Sequence, residues 1–327
     1  MKIAVIGGGS WATALVKILT ENNDYVGWWM RDEANVLHIK KYHNNQKYLS
    51  SIELQTEKID ISTDINHIVY QADLLVFAIP SAFLKSSLID LKVDISGKKV
   101  FSAIKGIVPD ENMIVGEFFH KRYLVPIESI GVISGPCHAE EVALERLSYL
   151  TIAALNKEQA ANLAKRMDCD FIKTTISDDI YGTEYAAVLK NIYALAAGIC
   201  HGLGYGDNFQ AVLVSNAIRE MKKFIREVHP IKRDINNSAY LGDLLVTAYS
   251  QFSRNRTFGN MIGKGYTVRS AMLEMNMVAE GYYAAALIRE LRKEKEIKMP
   301  IADAVYKILY ENKNPKKLMA KLTAKLD

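Results

Sequence analysis

The 327-residue chain has three cysteines, Cys137, Cys169 and Cys200, odd in number and far apart. No C-x-x-C pair and no Cys/His cluster occurs. That excludes a disulfide framework and argues against a zinc site, so the expectation is a reducing compartment and no metal. Neither sign of charge is in much excess: 41 Lys and Arg face 37 Asp and Glu, for a net charge of +4. So even a balance, with no long basic run, argues against a nucleic-acid partner and leaves a local anionic small-molecule site as the use for positive charge. Long apolar runs are missing as well. The longest are broken by Lys, Asn or His, which excludes stable membrane insertion. The opening MKIAVIGGG enters a strand at once and leaves no room for a signal peptide, so a cytoplasmic protein is expected. No repeat or low-complexity segment occurs.

What the chain does have is rhythm. KIAVIG (2–7), YVGWWM (25–30), DLLVFAI (73–79), KVFSAI (99–104) and SIGVIS (129–134) read as buried parallel strands. Between them lie segments long enough for crossover helices, such as Ser10–Thr20 and Ser81–Ile89. SYLTIAA (148–154) and FIKTTI (171–176) flank a helical stretch and extend the same domain. The β-α-β order predicts an α/β fold: an N-terminal Rossmann domain with a doubly wound parallel sheet. After Asp179 strand-like runs vanish. Glu184–Gly198, Phe209–Val228, Gly242–Ser250, Val268–Glu294 and Ala302–Tyr310 all read as helices, and the closing KKLMAKLTAKLD reads as a solvated amphipathic helix. The expected division is therefore a dinucleotide-binding domain over 1–178 and an all-α substrate domain over 179–327.

IAVIGGGSWATAL carries G-x-G-x-x-A as Gly7, Gly9 and Ala12, after a strand and opening a helix. Gly7 allows a tight turn, Gly9 allows backbone to approach a pyrophosphate, and Ala12 allows close packing. The phosphates are expected on N–H groups around Ser10 and Trp11. The second strand ends WWMRDE. Arg31 reaches the position where an NAD site keeps an acid, with Asp32 and Glu33 behind it. A guanidinium suits a 2′-phosphate, so NADPH is favoured, while the acids keep NAD open.

Several polar residues interrupt apolar sequence. Lys190 is the only charge in AAVLKNIYALAAG (186–198). It either meets a ligand with a lowered pKa or snorkels to solvent, and the residues alone leave both open. Lys105 follows a strand, where an α/β sheet opens to ligand, though solvated lysines also end strands. Gly135 in ISGPCHAEE permits a close approach, and the adjacent Cys137 and His138 lack the third group a thiol–imidazole pair needs. Asp243 interrupts YLGDLLVTAY. SRNR (253–256) is either a phosphate clamp through Arg254 and Asn255 or a solvated loop. Glu280 sits beside Gly281 in MVAEGYY.

Together GGGSWATAL, FAIPS, AIKG, ISGPCHAEE, LKNIYALAAG, GLGYGDN, LGDLLVT, SRNRTFG, AEGY and MPIADAVY resemble NAD(P)-dependent glycerol-3-phosphate dehydrogenases of the bacterial type, over nearly the whole chain. The resemblance implies a Rossmann domain joined to a helical domain, a homodimer, and interconversion of dihydroxyacetone phosphate with sn-glycerol 3-phosphate for phospholipid synthesis. It implies Lys190 as proton donor and acceptor, assisted by Lys105 and Asp243. Lys105, Gly135, Cys137, Lys190, Asp243, Ser253, Arg254 and Asn255 are implied at the substrate. Ser10, Trp11, Arg31, Lys105, Ala139, Arg254, Val278 and Glu280 are implied at the dinucleotide. Cys137 stands where the family usually has serine or threonine, and His138 where it has an aromatic. Two other readings stay open: a ketopantoate or β-hydroxyacid reductase of the same two-domain plan, and a non-catalytic dinucleotide-binding protein that kept only the Rossmann domain.

Overall fold

The computed structural model describes residues 1–109, 111–275 and 279–327, in two compact units. Unit 1 comprises residues 1–104 and 113–180. Its sheet holds β1 (Ile3–Ile6), β2 (Val26–Trp29), β3 (Ile59–Ser62), β4 (Leu74–Phe77), β5 (Lys99–Ser102), β8 (Ile130–Ser134), β9 (Ser148–Ala154) and β10 (Ile172–Ser177). Two-residue strands β6 (Ile107–Val108) and β7 (Met113–Ile114) lie outside it. The order is β10-β9-β8-β5-β4-β1-β2-β3, so the direction of winding reverses between β1 and β4. Ligands of such sheets bind beyond the strand ends at that reversal.

Strands β1, β2, β4 and β8 are buried at every residue, which explains why they read as unbroken apolar runs instead of alternating ones. Helix α1 (Ser10–Asn22) packs on β1 and β2, and α2 (Glu33–Tyr42) follows β2. The remaining helices of unit 1 are α3 (Ile65–Gln71), α4 (Leu84–Ser87), α5 (Val115–Tyr123), α6 (Ala139–Ala143) and α7 (Lys157–Met167). Three expectations need correction. The strand IDIS (59–62) is too short and polar to have been read as one. Strand β9 runs antiparallel to β8, so the last two strands reverse the sheet's direction. Ser81–Ile89 is a 3-10 turn and a single helical turn, not a crossover helix.

Unit 2 comprises residues 105–112 and 181–327. Its helices are α8 (Ile180–Gly202), α9 (Asp207–Val228), α10 (Asp243–Tyr249), α11 (Arg254–Gly263), α12 (Val268–Glu274), α13 (Glu280–Glu294), α14 (Pro300–Tyr310) and α15 (Pro315–Thr323). The expected division near residue 178 left 105–112 in the first domain. In the structure this segment goes with the helices, because Asn191 Nδ2 donates to Lys105 O (2.6 Å) and β6 packs on α13. The single helix expected over 268–294 is two helices. Met275 turns extended (φ −85°, ψ 120°) and ends the first, and Ala279 precedes the second. SRNR is not a solvated loop: Ser253 caps α11 by accepting from Arg256 N (3.3 Å).

Helix α8 is the axis of unit 2, buried on every side from Gly182 to Cys200. It lies backbone-to-backbone on α11 along a seam of glycines. A Cβ built on Gly198 would stand 2.1 Å from Arg256 O, and one on Gly259 would stand 2.2 Å from Leu195 O. Gly202 and Gly263 repeat the pattern one turn on. Gly281 does the same for α13, where a Cβ would lie 2.6 Å from Asn191 O. Glycine is required here for proximity, since no side chain fits between the backbones. The seam sets α11 against the C-terminal part of α8 and the first turn of α13 against its middle. Gly198→Ala should therefore destabilise the protein by about 1–3 kcal/mol in urea unfolding. Gly97→Ala, at a site open to space, is the control and should change little; equal stability of the two variants would refute the seam.

Candidate active site

Lys190 lies in the middle of α8 and is only 5% exposed. The snorkelling alternative is thereby excluded. Its ammonium instead pairs with the carboxylate of Asp243, the first residue of α10, which is 1% exposed. Lys105 Nζ approaches the same carboxylate, 3.2 Å from Oδ2 and 3.5 Å from Oδ1. One buried carboxylate thus faces two ammonium groups. Asp243 is held in turn by its helix: Thr247 Oγ1 donates to Asp243 O (2.6 Å) one turn on. Asn191, next to Lys190 on α8, fixes the backbone of Lys105.

The charges of this cluster decide its chemistry. Burial pulls the Lys190 pKa down from 10.5. Attraction to Asp243 pulls it back up, Lys105 opposes that, and the ammonium settles at about 7. Burial alone would raise the Asp243 carboxyl, but Lys105 and Lys190 outweigh it and leave the group below its usual range. The result is an ionised carboxylate orienting a lysine that exchanges its proton near neutrality, in a site largely closed to water. Such a group suits proton transfer to or from an oxygen.

The glycine seam brings other expected residues near this helix. Arg254 and Asn255 are the first two residues of α11, and Glu280 is the first of α13. Asn255 Oδ1 accepts from Gly281 N (2.8 Å), capping α13 from a neighbouring helix. That bond fixes the amide's orientation, so its Nδ2 donors are the side available to an anion. Backbone N–H groups at the start of α11 point the same way as its dipole, which favours an anion there. Val278 lies outside the described residues.

In unit 1, Gly7 has a φ of +143°, and a Cβ there would stand 2.3 Å from Ala78 O. Trp28 Nε1 donates to Gly7 O (2.7 Å), and Gly7 N donates to Trp29 O (3.0 Å), locking the turn to β2. Gly9 differs: nothing lies within 4 Å of where its Cβ would be. It caps α1 with no side-chain bond, leaving the N–H groups at Ser10 and Trp11 without a capping side chain. Trp11 Nε1 is buried and has no partner. An open cradle over an uncapped helix start, at the sheet's reversal, fits the pyrophosphate of a dinucleotide. Arg31 is exposed just past β2, as a 2′-phosphate contact requires. Ala139 opens α6, which packs on α1. Gly135 (φ +127°) owes its small size to its own fold: a Cβ would meet Tyr149 O at 2.5 Å. The Cys137 thiol donates to that same carbonyl (3.2 Å).

Asn191 and Thr247 were missed in the sequence. Asn191 adjoins the one charged residue of its run, and that adjacency was the only signal. Thr247 lies one helical turn from Asp243 in a stretch that reads as helix, but nothing in the sequence says that its hydroxyl bonds the Asp243 carbonyl.

A doubly wound sheet with a glycine turn at its reversal, and a helical unit built around a buried lysine–aspartate cluster, define a two-domain dinucleotide-dependent dehydrogenase. Residues 2–160 match the model for the N-terminus of NAD-dependent glycerol-3-phosphate dehydrogenase, and residues 179–320 match the model for its C-terminus. The chain belongs to the NAD-dependent glycerol-3-phosphate dehydrogenase family. It is 34% identical over 322 residues to glycerol-3-phosphate dehydrogenase [NAD(P)+] of Oceanobacillus iheyensis, covering 98% of this chain and 93% of that one. The crystal structure of glycerol-3-phosphate dehydrogenase from Coxiella burnetii superposes with a TM-score of 0.91 at 26% identity, covering 98% of each chain. D-mandelate dehydrogenase with NADH and anilino(oxo)acetate reaches a TM-score of 0.61 at 17% identity over 97% of this chain and 99% of that one, a likeness of fold alone.

The cluster makes its own prediction. Asp243→Asn keeps the shape but leaves buried Lys190 and half-buried Lys105 without their carboxylate, which should cost about 3–5 kcal/mol where Lys190 is charged in the wild type. The folded pKa of Lys190 is already depressed, and in the variant it falls further. Below about 7 the folded wild type carries the buried charge, and between there and the unfolded value of 10.5 its stability rises with pH. The deficit of the variant should therefore shrink as pH rises from just above the carboxylate range to about 7 and stay constant above that, where Lys190 is neutral in both folded proteins. Urea unfolding from mildly acid to mildly alkaline pH checks this, and a deficit that does not change below about 7 would contradict the charge argument.

Proposed function

We propose that the chain interconverts dihydroxyacetone phosphate and sn-glycerol 3-phosphate with NADPH or NADH, feeding glycerophospholipid synthesis. It does so in the cytoplasm as a homodimer. The observation that carries the reading is the Lys190–Asp243–Lys105 cluster, with a lysine that titrates near neutrality in a buried site.

When bound, the nicotinamide supplies or accepts the hydride at C2. Lys190 does the complementary work at the C2 oxygen: it donates the proton in reduction and removes it in oxidation. While charge builds on that oxygen, the Lys190 ammonium stabilises it, and Lys105 adds a second positive group touching substrate and cofactor. Asp243 orients both lysines and keeps Lys190 from losing its proton altogether in the buried site. Ser253, Arg254 and Asn255 hold the substrate phosphate through a guanidinium, a side-chain amide and the start of α11. Binding at the phosphate end fixes the reacting carbon. Gly7, Gly9, Ser10, Trp11, Arg31 and Ala139 hold the dinucleotide.

Purified protein with dihydroxyacetone phosphate and each reduced nicotinamide, beside a panel of 2-keto acids, is the direct test. Activity confined to the keto acids would overturn the reading. Lys190→Ala should lower the catalytic constant by about 10²–10⁴ while cofactor affinity changes little. In the wild type a proton donor with a pKa of about 7 is lost as pH rises, so reduction should slow through that point while oxidation gains. Lys190→Ala should flatten both profiles.

Arg254→Ala should weaken turnover of dihydroxyacetone phosphate by about 2–5 kcal/mol in kcat/KM, the usual cost of removing one partner of a charge-assisted pair. Any residual activity on unphosphorylated dihydroxyacetone should barely change. Proportional loss on both substrates would assign Arg254 to the cofactor or the fold.

A further inference from the structure

The end of β2 holds a second arrangement that the reaction does not account for. A dehydrogenase that prefers NAD keeps a carboxylate here for the ribose hydroxyls. This chain has such a carboxylate in Asp32, but both its oxygens are engaged. Oδ1 accepts from Asn35 N (3.1 Å) as the cap of α2, and Oδ2 takes the ammonium of Lys47. Arg31, exposed, adjoins Asp32 in sequence, so a second cation is carried on the same strand end. Glu33 is the other acid nearby, exposed in the first turn of α2.

Lys47 is exposed, but the backbone that carries it is anchored. Asn45, two residues earlier, is completely buried. Its Oδ1 accepts from Lys47 N (3.2 Å), Tyr48 N (3.3 Å) and Asn35 Nδ2 (2.9 Å). Its Nδ2 donates to Thr13 Oγ1 (2.8 Å) and Gly8 O (3.4 Å). A single amide therefore ties together the glycine turn, the first turn of α1, helix α2 and the loop bearing Lys47. The loop cannot shift without breaking bonds to the turn that receives the pyrophosphate. A surface lysine with no task at the cofactor would not need a buried anchor of this kind.

We infer that Lys47, held in place by Asn45, determines cofactor specificity: it occupies the Asp32 carboxylate that would otherwise bind a ribose 2′-hydroxyl, and it adds a second cation to Arg31 at the 2′-phosphate. The assignment rests on the dinucleotide reading proposed above. It makes Asp32 and Lys47 one unit. Removing the lysine both deletes a phosphate contact and releases the acid, so the two nucleotides respond in opposite senses.

Calorimetric titration of the full-length protein with 2′,5′-ADP, 5′-AMP, NADPH and NADH tests this without turnover. The wild type should bind 2′,5′-ADP more tightly than 5′-AMP. Lys47→Ala should weaken 2′,5′-ADP and NADPH by about tenfold, as for one charge-assisted contact. It should leave 5′-AMP and NADH unchanged or slightly tighter. Lys47→Arg should keep the preference, and Asp32→Asn, which retains a good helix cap, should tighten 2′,5′-ADP. Equal weakening of both nucleotide pairs by Lys47→Ala, or no weakening of either, would overturn the assignment while leaving the dehydrogenase reading intact. Failure of the wild type to bind any of the four would overturn both.

Discussion

An ammonium group buried in the middle of a helix has to be answered by a carboxylate, and in this protein much else follows from that pairing. Lys190 could not remain charged where it stands without Asp243, because desolvating an isolated ammonium costs more than a domain of this size can spare. Asp243 could not stay ionised with so little exposure if it faced only one partner in a loose geometry. Lys105 supplies the second positive charge. The three charges balance at a point where Lys190 holds its proton weakly, and that is the property acid–base chemistry requires. The site's reactivity is thus a consequence of how its stability is maintained.

The geometry of that pairing depends on a different constraint, the close approach of helix backbones. Alanines and glycines on α8, α11 and α13 remove the side chains that would otherwise hold these helices 8–10 Å apart. Residues that begin α13 come up to the turn that bears Lys190 and Asn191. Asn255 illustrates the economy of the arrangement, since the oxygen of its amide caps α13 and the nitrogen is left for an anion. Elsewhere in the same unit, buried Glu220 serves α14 in a similar way, accepting from Ile301 N (2.9 Å) and Ala302 N (3.0 Å). Burial pushes its pKa up to about 8 in spite of those two bonds.

Unit 1 solves the converse problem. Its glycine turn has to stay open above Gly9 while being rigid below. Rigidity comes from Gly7, wedged against Ala78 O and bonded to β2, and from Asn45, which fastens a later loop to the same turn. The open side is left to whatever binds there.

Some of this was legible without coordinates. The sheet's strands announced themselves because strands buried on both faces must be apolar throughout, and the glycine spacing carried its turn with it. The oddity of Lys190 was visible too, since a lone charge in an alanine-rich helix departs from any helix-face pattern. Its partner was not. Asp243 lies 53 residues away and Lys105 lies 85 residues away, and nothing local in either segment says that they meet. The sequence likewise could not say whether Lys190 was buried or snorkelled, because helical periodicity does not reveal what packs on the far face. That the glycines of the seam let α11 lie on α8 shows only in the packed structure. Asn45 was silent for the same reason: an asparagine in a polar stretch looks like loop chemistry, and only the fold shows it completely buried with five bonds. Local chemistry set the elements and the turn, whereas the charge balance at Lys190 was decided by contacts that exist only once distant segments have packed.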